Sequence, residues 1–464
     1  MIRYTVHRDD WDETSPDLSL VAKLITRHIS DAMRYTTLED YYAGQHAILG
    51  RHRGEGAPNN RIAVNWAKYI TDTATGYFLA NPITYTSSTG EDISQLLLAY
   101  DRAHTDDTDA DNAFELSRNG SAYEYVYAAE GEAELSSRNL CARNTFMVTD
   151  TSIDERELFG VYYRTIKNSK TDKTEYAATV CTANYIYDVR ITSDGTPISK
   201  SGDPRPHYMG EVPIIAYNNN HDGMGDYEQL IPLIDAYNTL MSDRVNDVQD
   251  YVDAILIVYG TLLADEPEET EGGSEGGTPA AKKSLRDGKL LEFPDKQSMG
   301  AEWLTRQLDE NGVEVLQQAI ARDILRMAYV PDFSDEKFAG NSSGVAIAYK
   351  CLLLEWLTKT KERYYRKGLR KRARLFARYL GLKQITVHAD SIVPHFARSL
   401  PTNKAETAQI VATLAGKVSQ RTLLQQLDFV EDPDAEIAAL KKEAEHQQPS
   451  NNTDNQGAGD ARLF

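Results

Sequence analysis

Apolar residues recur every three or four positions along most of this chain, with one region where they alternate instead. The helical period runs through 18–41 and 61–78, and Asn81-Pro82 ends the second helix because a proline disfavours helical backbone in its predecessor. Residues 83–86 then predict a strand and 109–117 a short helix. The stretches 123–129, 145–148, 161–167, 174–180 and 185–191 alternate or are rich in β-branched and aromatic residues, which predicts strands. Residues 1–226 therefore read as an α+β domain, closed by the turn-forming run at 218–223.

Beyond it, Leu230, Ile234, Tyr237, Met241, Val245, Val248, Val252 and Ile255 keep a near-heptad rhythm, predicting a long amphipathic helix over 227–255. Asp243, Asp247 and Asp250 stack on another face as a carboxylate stripe. Residues 255–259 fit either a continued helix or a strand. The segment 265–277 is acidic, glycine-rich and too polar to fold by itself. Residues 285–293 supply a returning strand. Trp303 then enters a second helix in which Leu304, Leu308, Val315, Leu316, Ala319, Ile320, Ile324 and Met327 recur. Helix, small β excursion and returning helix make a protruding stalk.

Residues 331–344 form a polar, glycine-punctuated loop, the kind of segment with which a scaffold touches what it acts on. A helix follows from 345 that extends to 379 and spans roughly 50 Å. A strand at 384–387, short helices at 404–416 and 420–426, and a last helix opened by Asp432-Pro433-Asp434 complete the pattern. The Asn-, Gln- and Gly-rich end, 449–464, is expected to be disordered.

With 464 residues and 41% apolar content, the chain has material for a sizeable core. No window approaches the roughly 20 apolar residues of a membrane span, and residues 1–10 are too polar for a signal peptide. A cytosolic protein with no membrane partner is the expectation. Cys141, Cys181 and Cys351 stand far apart, so free buried thiols are expected, with no metal and no cofactor. A net charge of −20 opposes a tight grip on phosphates. A conduit through which DNA slides, however, is served by a surface that repels phosphate.

Three motifs carry candidate chemistry. Gly340-Asn341-Ser342-Ser343-Gly344 matches G-x-S-x-G, with Asp390 and His395 following in hydrolase order, but the elbow needs a strand before its serine. Here Asp335-Glu336-Lys337-Phe338-Ala339 precedes it, and a loop whose Ser342 or Ser343 caps the next helix fits as well. Asp107, Asp109 and Asp111 imitate the start of a calcium loop. Asn112 stands where that loop needs glycine and Arg118 where it needs glutamate, so a solvated, helix-capping surface is expected. From Lys359 to Arg378 ten cations face only Glu362. Arg363, Arg366, Lys367, Arg370, Lys371 and Arg374 within that run contact either DNA phosphates or acidic groups of this or a neighbouring subunit. No G-x-x-x-x-G-K-[ST] phosphate loop is present, so no ATPase activity is expected.

Tyr41-Tyr42-Ala43-Gly44-Gln45-His46, Asn59-Asn60-Arg61-Ile62 and the run from Gly76 to Tyr85 resemble the N-terminal signature of portal proteins of tailed, long-tailed (siphophage-type) bacteriophages. Phe333 to Phe338 with Asn341 to Ala346 is similar to that family's tunnel loop and following helix, and Leu400-Pro401-Thr402-Asn403, Val418 to Leu424 and Val430 to Pro433 resemble its crown. The resemblance implies a mixed α+β portal fold assembling into a ring. Its parts would be a wing over 1–226, stem helices at 227–255 and 302–330, and a small β clip at 256–301. A tunnel loop at 331–344, a long wing helix at 345–382, a wing strand return at 383–400 and a helical crown at 401–448 would follow.

It further implies a non-enzymatic, dodecameric conduit for double-stranded DNA at one capsid vertex, serving packaging and ejection. The implied partners are copies of itself, double-stranded DNA, the terminase large subunit, a head–tail connector or adaptor protein, and the major capsid and scaffold proteins. The implied location is the virion, reached from the host cytoplasm. Asp335, Glu336, Lys337, Asn341 and Ser342 would face passing DNA, while the Asp243, Asp247 and Asp250 stripe would line the channel or pair with neighbouring stems. A serine hydrolase and a helical adaptor that is not a portal stand as alternatives.

Overall fold

The protein is described by a computed structural model that covers residues 2–54, 57–129, 131, 133–168, 172–193, 195–200, 203–252, 255–259, 290–293, 300–304, 310–332, 348–398, 404–424, 427, 430 and 433–446. It forms two compact units, 1–333 with 350–399 and 334–349 with 400–464. In the second, helices α9 (Lys404–Leu414), α10 (Gln420–Leu424) and α11 (Pro433–His446) are described.

In the larger unit the alternating stretches build a seven-stranded sheet. Its path is β1 (Arg3–Val6), β5 (Thr145–Asp150), β6 (Glu157–Lys167), β7 (Thr174–Cys181), β8 (Tyr185–Thr192) and β10 (Arg205–Pro206), with β9 (Pro197–Lys200) also paired to β8. β1 runs parallel to β5 and the other pairs are antiparallel. Its apolar face closes on α1 (Leu18–Asp31), where Val21, Ala22 and Ile25 meet Phe146, Val148, Phe159 and Val161.

A second sheet, β11 (Ile214–Asn218), β3 (Ser121–Ala128) and β4 (Leu135–Leu140), packs against three helices. These are α3 (Trp66–Leu79), α5 (Thr105–Asn119) and the long α8 (Leu352–Leu382). α4 (Ser94–Arg102) and the two-stranded ribbon of β2 (Thr84–Ser87) with β15 (Ile392–His395) border this core. α2 (Met33–Tyr42), α6 (Ile231–Val252) and α7 (Glu310–Met327) enclose a third core around Tyr35, Tyr41, Ile234, Tyr237 and Ile324. Between α6 and α7 in sequence lies a three-stranded sheet, β13 (Leu290–Phe293), β12 (Ile255–Tyr259) and β14 (Gly300–Leu304).

Several sequence expectations change. The helix expected over 18–41 is two, meeting at Ala32, whose N–H bonds to His28 O at 2.7 Å. One straight helix cannot face two cores, and α1 belongs to the first sheet's core while Tyr35, Leu38 and Tyr41 of α2 belong to another. The helix expected from 61 starts at Trp66, where Asn65 caps it by accepting from Lys68 N–H. Residues 255–259 are strand, and Trp303 stands in β14 opposite Leu256 rather than in a helix. Residues 384–387 are not a strand. Gln384 takes a left-handed φ of 64°, the chain turns, and the strand forms at Ile392–His395 against Thr84–Ser87.

Cys181 and Cys351 are buried free thiols, whereas Cys141 is half-buried. Burial pushes the Cys181 thiol up to about 12. The acidic segment 265–277 and the tail 449–464 lie outside the described residues.

Candidate assembly and conduit surfaces

α8 is held in the subunit by charges on its inner side. Arg372 is fully buried; its Nε donates to Glu124 Oε1 at 2.8 Å, Nη1 to Asp109 Oδ2 at 2.9 Å, and Nη2 to both Asp109 Oδ1 at 2.6 Å and Glu124 Oε2 at 2.8 Å. Tyr365 donates to Asp109 and Tyr217 to Glu124, both at 2.5 Å, and the two tyrosine rings stack 4.5 Å apart. Burial raises the Asp109 carboxyl despite the opposing charge of Arg372, while Arg372 stays well above its ordinary range because the two carboxylates outweigh its own burial. The expectation that Asp107, Asp109 and Asp111 form one solvated surface is corrected: Asp107 and Asp111 are exposed, and Asp109 is a core ion.

Other members of the basic run are also spent within the subunit. Lys361, itself buried, bonds Asp226, which also accepts from Ser117 Oγ at 2.6 Å and Asn219 Nδ2 at 2.8 Å. Lys371 bonds Glu157 and Ile214 O, and Arg374 grips Glu211 with two hydrogen bonds at 2.9 and 3.1 Å. Arg366 lies 3.7 Å from Glu362 and over the Phe396 ring. Arg363, Lys367 and Arg370 are exposed on the side opposite Arg372, the side that also carries Arg374 one turn further on.

α6 is fixed to residues 60–64 by a polar ladder that periodicity does not reveal. Asn238, Ser242 and Asn246 lie four residues apart along α6 and are fully buried. Their oxygens accept the alternate N–H groups of Val64, Ile62 and Asn60 at 2.8, 3.0 and 2.8 Å. Four helical residues advance about 6.0 Å and two extended residues about 6.6 Å, so the helix presents acceptors at nearly the repeat of a strand. The signal available in sequence was the Asn-Ser-Asn run at four-residue spacing inside an otherwise amphipathic helix. Asn238 Nδ2 meets His46 Nδ1 at 2.7 Å, and His46 Nε2 meets Tyr41 O at 3.0 Å, which assigns the ring proton to Nε2.

On the neighbouring face Asp243 pairs with Arg51 at 2.7 Å and Arg53 at 3.1 Å. Asp247 is half-buried on the same helix, and the backbone of Asp250 is helical. Asp335, Glu336, Lys337, Asn341 and Ser342 lie outside the described residues. So does the serine of the hydrolase alternative, while His395 sits in β15 with Nε2 2.7 Å from Thr86 Oγ1. Among the described residues no cluster of His, Cys, Asp and Glu is arranged to hold a metal, and no helix is long and apolar enough to cross a membrane.

The buried charges anchor helices, and the polar ladder fastens one element to another, so these polar groups serve to hold the fold. Residues 21–450 match the family described as phage portal protein, SPP1 Gp6-like, and the chain belongs to that family. It is similar to the portal protein of Bacillus phage SPP1, 24% identical over 463 residues and covering 92% of this chain and 86% of the relative. The portal protein of Clostridium phage phiCD119 is 20% identical over 462 residues, covering 90% and 94%. A chain in the solved "Neck of empty GTA particle computed with C6 symmetry" superposes with a TM-score of 0.40 at 13% identity, covering 77% of this chain and 88% of that one. The family match, not that loose superposition, carries the fold assignment. Membership makes this chain a non-enzymatic structural component of a phage virion, which sets the hydrolase reading aside.

Proposed function

We propose that this chain is the subunit of a dodecameric ring at one capsid vertex, through which double-stranded DNA enters during packaging and leaves at ejection. The observation that carries the reading is the family match across 21–450. In this reading residues 1–226 and 383–400 with the long helix form the wing, α6 and α7 the stem, and the sheet of β12, β13 and β14 the clip. Residues 331–344 form the tunnel loop and 401–448 the crown. The clip end is the docking platform for the terminase large subunit and later for a head–tail connector, and the ring contacts capsid and scaffold proteins during assembly in the host cytoplasm.

The channel in this reading is lined by oxygen-rich surfaces that DNA slides past. Asp247 and Asp250 belong to that lining, along with Asp335, Glu336, Lys337, Asn341 and Ser342. Asp243 is partly neutralised by Arg51 and Arg53, so its share in the stripe is smaller than its spacing implies. Negative-stain imaging of the purified protein tests the proposal. Particles with a central channel wide enough for duplex DNA are expected; monomers or solid particles would favour a helical adaptor instead.

A further inference from the structure

The outer side of α8 carries cations that the buried pairs leave over. At about 100° per residue, Trp356, Arg363, Lys367 and Arg370 all fall within about 40° of the line opposite Arg372. All four are exposed, Trp356 by 57%. Among the described residues the three cations have no ion-pair partner, unlike Lys361, Lys371, Arg372 and Arg374.

α5 is arranged the opposite way. Asp109 points inward to Arg372 and Tyr365. Asp107 and Asp111, two residues to either side, stand about 160° around the helix and are exposed. Asp101 and Asp106 flank them, and none of these four carboxylates has an ion-pair partner among the described residues. Burial raises Asp106, and the charges of Asp101 and Asp107 raise it further against the pull of Arg372; burial and Asp107 raise Asp111. The positive end of the helix dipole accounts for acids in the first turn, Asp106 and Asp107, but not for Asp111 or Asp101.

Because Arg372 and Asp109 hold each other, the two outer faces point away from one another. The cation row and the carboxylate row therefore cannot meet within one chain. A neighbouring copy can bring them together, and a contact between two different faces of identical subunits is the head-to-tail kind that closes rings. Arg363 and Lys367 share the four-residue spacing of Asp107 and Asp111, about 6 Å along each helix. Trp356 on the same face is the residue type enriched at the core of protein interfaces. Each added copy brings a charge of −20, so a ring needs such opposite-charge contacts to offset self-repulsion.

We propose that the Trp356, Arg363, Lys367 and Arg370 face of α8 in one copy docks on the Asp107 and Asp111 face of α5 in the next, repeated around the ring. This rests on the ring reading. The test is sedimentation velocity with negative-stain imaging of the full chain, comparing wild type, R363E/K367E, D107K/D111K and the fourfold combination. Each pair of substitutions is expected to raise the concentration for half-assembly by about tenfold or more, and the combination to restore it to within about threefold. Circular dichroism melts check folding, and R363Q/K367Q, with a smaller expected loss, replaces a reversal variant that fails to fold.

Unchanged assembly in R363E/K367E overturns the proposal while leaving the ring reading intact. So does failure of the fourfold variant to recover. Loss of duplex-DNA binding with assembly preserved assigns the row to DNA and overturns it as well. A wild type that forms no ring instead removes the ring reading, and the docking proposal with it.

Discussion

Replacing Arg372 with methionine isolates what the buried charge cluster contributes. The guanidinium is wholly enclosed and is the cation both Asp109 and Glu124 contact. Methionine fills a similar volume without charge, so packing changes little while two carboxylates lose their partner. Breaking a buried pair from one side typically costs about 3–5 kcal/mol. A second route gives the same scale. With the guanidinium gone, burial and the Glu124 charge act on Asp109 against only the Tyr365 hydrogen bond, and the carboxyl takes up a proton. Holding it protonated at pH 7 costs about 4 kcal/mol, because each pH unit above an unfolded value near 3.9 costs about 1.4 kcal/mol.

The sign of the pH dependence follows. Where the folded carboxyl is protonated and the unfolded one is not, the native state binds more protons, and stability rises as pH falls. The deficit of R372M relative to wild type should shrink by about 1.4 kcal/mol per pH unit from pH 7 to 5, by roughly 3 kcal/mol in all. Urea denaturation followed by circular dichroism, at one protein concentration so that assembly contributes equally, measures it. R372M/D109N/E124Q should recover most of the loss, since it leaves neutral amides for Tyr365 and Tyr217 to bond. A deficit below about 1 kcal/mol at pH 7, or one that is the same at pH 5, would refute the reasoning.

Three other outcomes are expected. His28 is buried beside Tyr163 and burial lowers it to about 4, so the native state excludes a proton that the unfolded chain accepts. Wild type should lose up to about 3 kcal/mol as pH falls from 6.5 through 4, and H28Q should flatten that part of the pH–stability curve. In Gly368→Ala the new methyl would sit 2.2 Å from Tyr217 Cε1, a ring fixed by Glu124 and by stacking on Tyr365. Thermal melts should therefore show a loss of about 1–3 kcal/mol, outweighing the roughly 1 kcal/mol gained in helix propensity. Asn246→Leu removes the acceptor for the Asn60 N–H and side chain, so hydrogen exchange at 60–64 should quicken by about ten- to hundredfold while the first sheet's strands keep their protection.

Sequence periodicity located the long elements because their apolar faces are continuous. α6, α8 and four strands of the seven-stranded sheet, β5 to β8, follow from it, whereas β1, β9 and β10 do not. It failed where a partner distant in sequence decides. Asp109, between Asp107 and Asp111, has the look of a solvated acid, and Arg372, 263 residues away, together with Tyr365 makes its burial tolerable. The segment 61–64 reads as the start of a helix because the acceptors of Ile62 and Val64 lie on α6, 180 and 174 residues on. Pro394 argues against a strand at β15, yet a two-stranded ribbon has only edge strands, where proline is admitted. Of the candidate site, the spacing of the basic run is legible; which of its members pair within the subunit is not, since cations stand both on the Arg372 side of the helix and across the opposite side.

α8 places the same residue types in two dielectric regimes, and the difference decides what each can do. Lys361 and Arg372 meet carboxylates where water is excluded and salt screens little, so their contacts change little with ionic strength. Arg363, Lys367 and Arg370 face solvent, where a single ion pair contributes about 0–1 kcal/mol and is screened beyond roughly 8–10 Å. Such contacts are too weak to fix a helix, yet the proposed ring would repeat them at every interface, so small terms would add without any one becoming irreversible. In the proposed ring, the inner face would keep the larger unit rigid while DNA moves, and the outer face would let copies join, correct their register and close.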